Sequence, residues 1–328
     1  MDFLVIGLGS MGKRRIKLLK ENFNNINIIG VDKQTKRREE CKEKYNIKTY
    51  KIIKKAVKEN ELDAAVICTP PLSHAEIIKE CFGYNLDVFT ELNLIKDSYK
   101  EIINLAKEKD LALFLSSTMI YREETKYIHD RVKKKRERLN YRYHVGQYLP
   151  DWHPWESYKD FFVRDKRTNG CREIFAVELP WIIRTFGQIK EVKAFKTKTS
   201  SLDINYPDTY AVLLKHKEGH IGSINVDLVA RKAVRDFELY SENTHLFWDG
   251  SPDGLSEYDF TTEEMVDIDT YKEVTQNDNY SETIIENVYL TELEIFIDKI
   301  KDNKNDEKYT FEDDRYTLSV IDQIEGSI

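Results

Sequence analysis

Phe3-Leu4-Val5-Ile6-Gly7-Leu8-Gly9-Ser10-Met11-Gly12 is the stretch on which the fold turns. A short apolar run followed at once by G-x-G-x-x-G reads as a buried strand that turns tightly into a helix. Gly7 permits the turn, Gly9 removes a side chain where a pyrophosphate has to approach the backbone, and Gly12 lets the helix pack closely on the strand. Ser10 and Met11 complete the motif at the helix start, where free N–H groups and the positive end of the helix dipole face the phosphates. Outward from it, Ile26-Asn27-Ile28-Ile29-Gly30-Val31 is a second strand. It ends in Asp32, about twenty residues past the glycines, where a carboxylate takes both ribose hydroxyls of an adenosine. Asp32 therefore favours NAD. The cluster Lys33, Lys36, Arg37 and Arg38 keeps NADP open, since a cation beside the ribose accepts a 2′-phosphate.

The 328 residues allow two domains, and 41% hydrophobic content suits a soluble globular chain. A net charge of −7 argues against a nucleic-acid footprint or a general attraction to anionic membrane. The basic run from Arg131 to Arg138 reads as a solvated helix face. No stretch is apolar for long enough to span a bilayer, and the N-terminus leads into a strand rather than a cleavable signal, so a cytoplasmic protein is expected. Cys41, Cys68, Cys81 and Cys171 are scattered. Their spacing supports neither a disulfide framework nor a metal site, and four reduced thiols are expected.

Up to about residue 115, β-rich runs at 2–6, 26–32, 47–50, 63–68, 86–90 and 111–115 alternate with helical segments near 11–22, 34–44, 51–59, 72–83 and 97–108. That alternation predicts a doubly wound parallel sheet, with ligands at the carboxyl ends of its strands. The rule gathers the glycine turn, Cys68-Thr69-Pro70-Pro71-Leu72-Ser73-His74 and Thr90-Glu91-Leu92-Asn93-Leu94 into one site. Ser73 is the expected cap of the helix that follows. Beyond residue 120 the pattern changes to a helix at 122–138, a strand at 140–148, a helix at 171–186 and β-rich runs at 192–195, 209–214, 220–226 and 236–240. Strands in series predict an α+β domain with a mainly antiparallel open sheet. The polar stretch 268–282 reads as a loop, and helices are expected at 283–301 and 311–326. The division expected is 1–120 for dinucleotide binding and 121–328 for substrate.

The glycine turn, Thr69-Pro70-Pro71-Leu72-Ser73-His74, and an acidic residue after the fifth strand, Glu91, together resemble the Gfo/Idh/MocA oxidoreductases. The likeness covers almost the whole chain. It implies an NAD or NADP site in the first domain, in which Thr69, Pro70, Pro71, His74 and Glu91 lie beside the cofactor. It further implies a second-domain sheet that closes over a sugar-like substrate and forms a homodimer or homotetramer. Members usually carry Glu-Lys-Pro after the fifth strand and Asp-x-x-x-His on the second-domain helix. Here the corresponding residues are Glu91-Leu92-Asn93, and Ile174 and Glu178.

Replacement of those ionisable groups means either a rebuilt site or lost catalysis. Glu178 shares a helical face with Cys171, Ile174 and Trp181, where desolvation raises a carboxyl pKa toward the range of proton exchange. Its bland alternative is an ion pair with a partner from elsewhere in the fold, because Arg184 is not at facing distance. Arg172 and Glu173, next to Gly170 at the helix start, are candidates to hold a substrate carboxylate or polarise a carbonyl. Gln147 to Tyr158 concentrates aromatic and polar groups in a loop after a strand. Tyr148, Trp152 and Trp155 suit the C–H faces of a sugar, and His153 is a candidate acid/base. The reading is an NAD(P)-dependent oxidoreductase that moves a hydride between nicotinamide and a carbon of a sugar or sugar derivative, with Glu178 or His153 handling the proton and Arg172 orienting the substrate. The alternative is a catalytically degenerate cofactor- or sugar-binding sensor of the same fold.

Overall fold

The computed structural model describes residues 1–135, 137–153, 156–275, 284–302 and 306–326. The first six strands are β1 (Asp2–Ile6), β2 (Asn27–Val31), β3 (Lys48–Tyr50), β4 (Ala64–Ile67), β5 (Asp87–Thr90) and β6 (Leu113–Leu115). They form one parallel sheet in the order β3-β2-β1-β4-β5-β6. Strand order reverses between β1 and β4, and that is where a doubly wound sheet opens a crevice. The crossovers are α1 (Ser10–Asn22), α2 (Thr35–Tyr45), α3 (Ile53–Glu59), α4 (His74–Gly83) and α5 (Tyr99–Lys109). Every residue of β4 is buried, as expected of a central parallel strand covered on both faces.

The chain divides into two compact units, Met1–Ser117 with Tyr289–Arg315, and Thr118–Val288 with Tyr316–Ile328. A single boundary at residue 120 does not anticipate the return of 289–315 to the first unit. The returning segment holds most of α8 (Asn287–Asp302). Its Phe296 ring lies 6.1 Å from Phe3, 5.7 Å from Phe89 and 6.1 Å from Phe114. An apolar helix ring set against strands β1, β5 and β6 explains why the segment folds back.

The second unit holds an eight-stranded sheet in the order β14-β13-β12-β11-β7-β10-β9-β8. Its strands are β7 (Asn140–Gly146), β8 (Ile189–Thr197), β9 (Thr209–His216), β10 (Ile221–Asp227), β11 (Val234–Ser241), β12 (Thr244–Trp248), β13 (Leu255–Asp259) and β14 (Glu264–Asp267). β7 and β10 run parallel, and the remaining neighbours are antiparallel. The sequence reading has no counterpart for β12, β13 and β14. All of β14 is exposed, so it carries no alternation to read. α6 (Glu123–Lys134), α7 (Gly170–Phe186) and α9 (Phe311–Glu325) fall where helices are expected, α6 and α9 with shorter ends and α7 one residue longer at its start. Of the expected loop at 268–282, residues 276–282 lie outside the described residues, as does residue 283 at the start of the next expected helix. Among the described residues no helix is long and apolar enough to cross a membrane.

One face of this sheet packs on α7 through aromatic rings, Tyr141 stacking on Phe186 at 4.4 Å and Trp181 meeting Phe237 at 5.0 Å. His216 is fully buried in the same layer. Its Nδ1 lies 2.8 Å from Gly187 O and its Nε2 2.9 Å from Tyr141 Oη. Burial pushes this imidazole down to about 4. The neutral ring therefore donates from Nδ1 and accepts at Nε2. A folded pKa below the unfolded value contributes stability that is present above about pH 6.5 and is lost as pH falls toward 4, about 3 kcal/mol in all. In urea melts the stability advantage of wild type over His216→Gln should shrink by about that amount between neutral pH and pH 4. An advantage that stays constant over the range contradicts a neutral His216.

Candidate functional site

At the carboxyl edge of the parallel sheet the ladder continues one step past each strand. Gly7 N donates to Val31 O at 2.8 Å, Cys68 N to Ile6 O at 2.8 Å, and Glu91 N to Ile67 O at 3.0 Å. The glycine turn, the Cys68–His74 segment and the segment after β5 thus lie side by side. Gly7 has φ of +92°, and a Cβ there would stand 2.7 Å from Cys68 O. At Gly12 a Cβ would stand 1.9 Å from Gly7 O. Both positions exclude a side chain for the fold's own sake. Gly9 differs, since a Cβ there meets only the Arg37 guanidinium at 3.6 Å. The protein has no need of glycine at position 9 for its own packing, and what a side chain there would obstruct is the approach to the start of α1. That matches a pyrophosphate on the helix N-terminus. Ser10 is exposed at the first position of α1, and Met11 Sδ lies 3.3 Å from Arg14 Nη1.

Asp32 is 8% exposed. Its Oδ2 accepts Leu8 N at 2.8 Å and its Oδ1 accepts Gln34 N at 2.7 Å. The carboxylate thus braces the glycine turn, and each oxygen keeps a further acceptor site for a ribose hydroxyl. Arg37 Nη1 lies 3.8 Å from Asp32 Oδ2, while Arg38 folds back onto the backbone oxygens of Asp32 and Lys33. Lys33 itself is exposed.

Pro71 opens a single 3-10 turn that leads into α4. Ser73 does not cap the helix as expected; its Oγ lies 2.8 Å from both Thr69 Oγ1 and Pro70 O, turned back into the segment. His74 is buried, with Nε2 2.7 Å from Thr69 O and Nδ1 2.6 Å from the Asn93 side-chain oxygen. Burial pushes its pKa down, so the ring carries one proton and serves one of these oxygens as donor. Exchange of the Asn93 amide O and N satisfies both partners, and it also gives a bond to Asn93 Nδ2, which otherwise has none. His74 is in this way a brace between the two segments. Leu92, where the family lysine is usual, is half-buried and cannot exchange a proton.

Glu91 is held by a residue that sequence reasoning missed. Arg15, fully buried, donates from Nε to Glu91 Oε1 at 2.7 Å and from Nη2 to Glu292 Oε2 at 2.7 Å, while Nη1 reaches Tyr289 O at 2.7 Å. Glu292 also accepts Ser117 N at 2.6 Å. Arg15 shares the buried stripe of α1 with Gly12, Ile16 and Leu19, and a cation on an apolar stripe is the signal that points to such a partner. Burial pushes the nearby Cys68 thiol up, which keeps it protonated and unreactive.

In the second unit, Glu178 does not suit the expected proton transfer. It is 1% exposed, and both oxygens are taken. Oε2 accepts Tyr143 Oη at 2.6 Å and Trp181 Nε1 at 3.0 Å, and Oε1 accepts Arg235 Nε at 3.1 Å and Nη2 at 2.9 Å. No lone pair is left for a substrate hydroxyl. Arg172 is likewise engaged, with Asp322 Oδ1 at 2.8 Å and with Glu325, which ties the start of α7 to α9. His153 Nδ1 lies 3.2 Å from Glu156 Oε1, its ring 4.4 Å from Phe161, and burial pushes its pKa down. Trp155 lies outside the described residues. Tyr148 and Trp152 are half-buried, with Trp152 Nε1 donating to Gln147 O at 3.2 Å.

Glu173 is the exception among the acids of α7. It stands in the first turn, behind the Asn169 cap whose Oδ1 accepts Arg172 N at 2.8 Å. Its Oε2 is buried without a hydrogen-bond partner among the described residues. Burial pushes this carboxyl up to about 8. It can therefore give or take a proton near neutral pH.

Residues 1–117 match a family model described as the GFO_IDH_MocA oxidoreductase family, NAD-binding Rossmann fold. Those residues belong to that family. A curated relative, 4-carboxy-2-hydroxymuconate-6-semialdehyde dehydrogenase of Sphingobium sp., is 24% identical over 137 residues, an alignment that takes in 40% of this chain and 43% of the relative. An oxidoreductase from Agrobacterium radiobacter, solved with NAD+, L-tartaric acid and magnesium, superposes with a TM-score of 0.81 at 14% identity, covering 99% of this chain and 96% of that one. The WlbA dehydrogenase from Chromobacterium violaceum, solved with NADH and UDP-GlcNAcA, gives 0.78 at 14% identity, covering 100% and 93%. These likenesses extend over both units and establish the fold.

Because Glu178 is a structural anion, removal of its partner should be costly. Arg235→Ala is expected to lose about 3–5 kcal/mol of unfolding free energy by leaving a buried charge, and Arg235→Ala with Glu178→Gln, whose neutral amide oxygen still accepts from Tyr143 and Trp181, should recover part of it. A double variant no more stable than Arg235→Ala, measured by denaturant melts, contradicts the assignment.

Proposed function

We propose that the protein is an NAD-dependent oxidoreductase acting on a sugar or sugar derivative, with Glu173 as its proton-exchanging group. The observation that carries the cofactor half is Gly9, where a Cβ would meet only the end of the Arg37 side chain at ordinary contact distance, flanked by two glycines that the fold itself requires. Gly7, Gly9, Ser10, Met11 and Gly12 would hold the pyrophosphate, Asp32 the adenosine ribose, and Thr69, Pro70, Pro71, His74 and Glu91 the edge beside it. When bound, the nicotinamide supplies or accepts the hydride. Asp32 favours NAD, since a 2′-phosphate would meet its carboxylate; Arg37, 3.8 Å away, is the cation that tolerates NADP.

Glu173 supports chemistry over sensing. With its pKa near 8, it is protonated and fit to donate during carbonyl reduction below that pH, and ionised and fit to accept during alcohol oxidation above it. The sensor reading draws support from Leu92 and from Glu178, which is bonded on all sides. The neighbours' ligands, UDP-GlcNAcA and L-tartaric acid, favour a hydroxylated substrate. Phe195, Leu213, Ile221 and Tyr240, exposed on the open face of the second sheet, support a homodimer or homotetramer.

Titration with NADH, followed by nicotinamide fluorescence, tests the cofactor site. Gly9→Ala should fold with wild-type stability and lose NADH binding; a folded Gly9→Ala that binds NADH as tightly as wild type contradicts the site. For the proton, alcohol oxidation should rise with pH through about 8, and Glu173→Gln should lower kcat by roughly 10²–10⁴ and remove that step from the profile. A profile unchanged in Glu173→Gln rejects the role.

A further inference from the structure

The parallel pair β7 and β10 ends with Gly146 opposite Asp227. Past that point the two chains stay joined. Gln147 N donates to Asp227 O at 3.3 Å, Leu149 N to Leu228 O at 3.0 Å, and Tyr148 N to Ala230 O at 2.7 Å. Asp227 fixes the second loop from within, its Oδ1 accepting Val229 N at 2.9 Å and Ala230 N at 2.7 Å while Oδ2 faces His144 Nε2 at 2.7 Å. Tyr148 and Arg231 are in this way set against each other by backbone bonds on both sides, and the guanidinium carbon lies 4.0 Å over the tyrosine ring.

Arg231 differs from the other arginines described above. Arg15, Arg172 and Arg235 each have a carboxylate partner. Arg231 is exposed and pairs with no acid among the described residues; Asp151, in the next turn, is exposed and makes no ion pair with it. Lys232, also exposed, adds a second positive charge. A guanidinium held over an aromatic ring, exposed and without an acidic partner among the described residues, has N–H groups able to bind carboxylate or phosphate in two parallel bonds. The loop also reaches α7, because the Trp152 ring comes within 3.4 Å of where a Cβ would stand at Gly170, one helical turn before Glu173.

We propose that Arg231, held on Tyr148, is a subsite for an anionic oxygen group of the substrate, so that the sugar derivative turned over is an acid or a phosphate ester rather than a neutral sugar. This deepens the oxidoreductase reading and rests on it. Bulk charge does not argue for it, since the chain is net negative; the local pair does. The anion would be anchored at Arg231 and the hydroxylated part left to Trp152 and Glu173.

The test uses the full chain loaded with NADH and titrated calorimetrically, at matched ionic strength, with D-glucuronate, D-glucose 6-phosphate and D-glucose. Glucuronate or the phosphate should bind, and Arg231→Ala should weaken that binding about tenfold or more, with Arg231→Lys intermediate. Which of the two binds separates carboxylate from phosphate. NADH affinity should be the same in wild type and Arg231→Ala. Equal anion binding by Arg231→Ala, glucose binding as tight as either anion, or no binding of any of the three by a protein that does bind NADH would each overturn the subsite. Failure of wild type to bind NADH would instead strike the cofactor reading.

Discussion

Arg15 carries its charge from the inner face of α1 to a place with no exposed surface, and the segments that answer that charge are those that bound the crevice. Glu91 comes from the end of β5, Glu292 from α8, and the Tyr289 carbonyl from the turn before Glu292. A cation so placed is tolerated only while all its partners are present, because the desolvation cost of each ion is several kcal/mol and their mutual attraction offsets it only in good geometry. The contact of Arg15 with the Phe89 ring, 4.5 Å to the centroid, adds an aromatic face to the same charge. The position of α1, and hence of the glycine turn at its start, depends on this cluster. It also accounts for the return of the chain after residue 288 to a unit that otherwise ends at Ser117.

The second unit is organised by a similar demand, with the signs reversed. Glu178 is an anion within an aromatic layer, and Arg235, Tyr143 and Trp181 converge on it from β11, β7 and its own helix. Its fixed geometry holds α7 against the sheet. Five residues earlier, the half-buried Glu173 turns one carboxylate oxygen, Oε2, into a buried position without those donors. Two carboxylates on one helix thus meet opposite surroundings: Glu178 is saturated with donors, and desolvation raises the pKa of Glu173, the property on which its proposed role rests.

Much of the fold was legible because it rests on short-range rules. The run Phe3–Ile6 and the three glycines dictate a strand, a turn and a helix, and Asp32 follows at the end of the next strand. The gathering of Cys68–His74 and Glu91 at the sheet edge follows from parallel connectivity. What the sequence hid were partnerships between distant residues. Arg15 and Glu292 are 277 positions apart, and neither position marks the other. Glu178 satisfied every local criterion for a reactive acid, yet its ion-pair partner came from elsewhere in the fold, as the bland alternative allowed. The pattern marks Glu173 only as a candidate substrate contact beside Arg172; the lack of a partner for its buried Oε2 among the described residues leaves no trace in it. The exposed edge strand β14 escaped for a related reason, having no buried face to impose a pattern.

In the proposed cofactor site the turn from Gly7 to Gly12 and the carboxylate of Asp32 act together on one dinucleotide. A crystal structure of the full chain grown with NADH tests it most directly. Density for the pyrophosphate is expected over Gly9 at the N-terminus of α1, with the adenosine ribose hydroxyls on Asp32 and the Leu8 N–H bond to that carboxylate retained. Nucleotide density away from the glycine turn, or a ribose that makes no contact with Asp32, would contradict it.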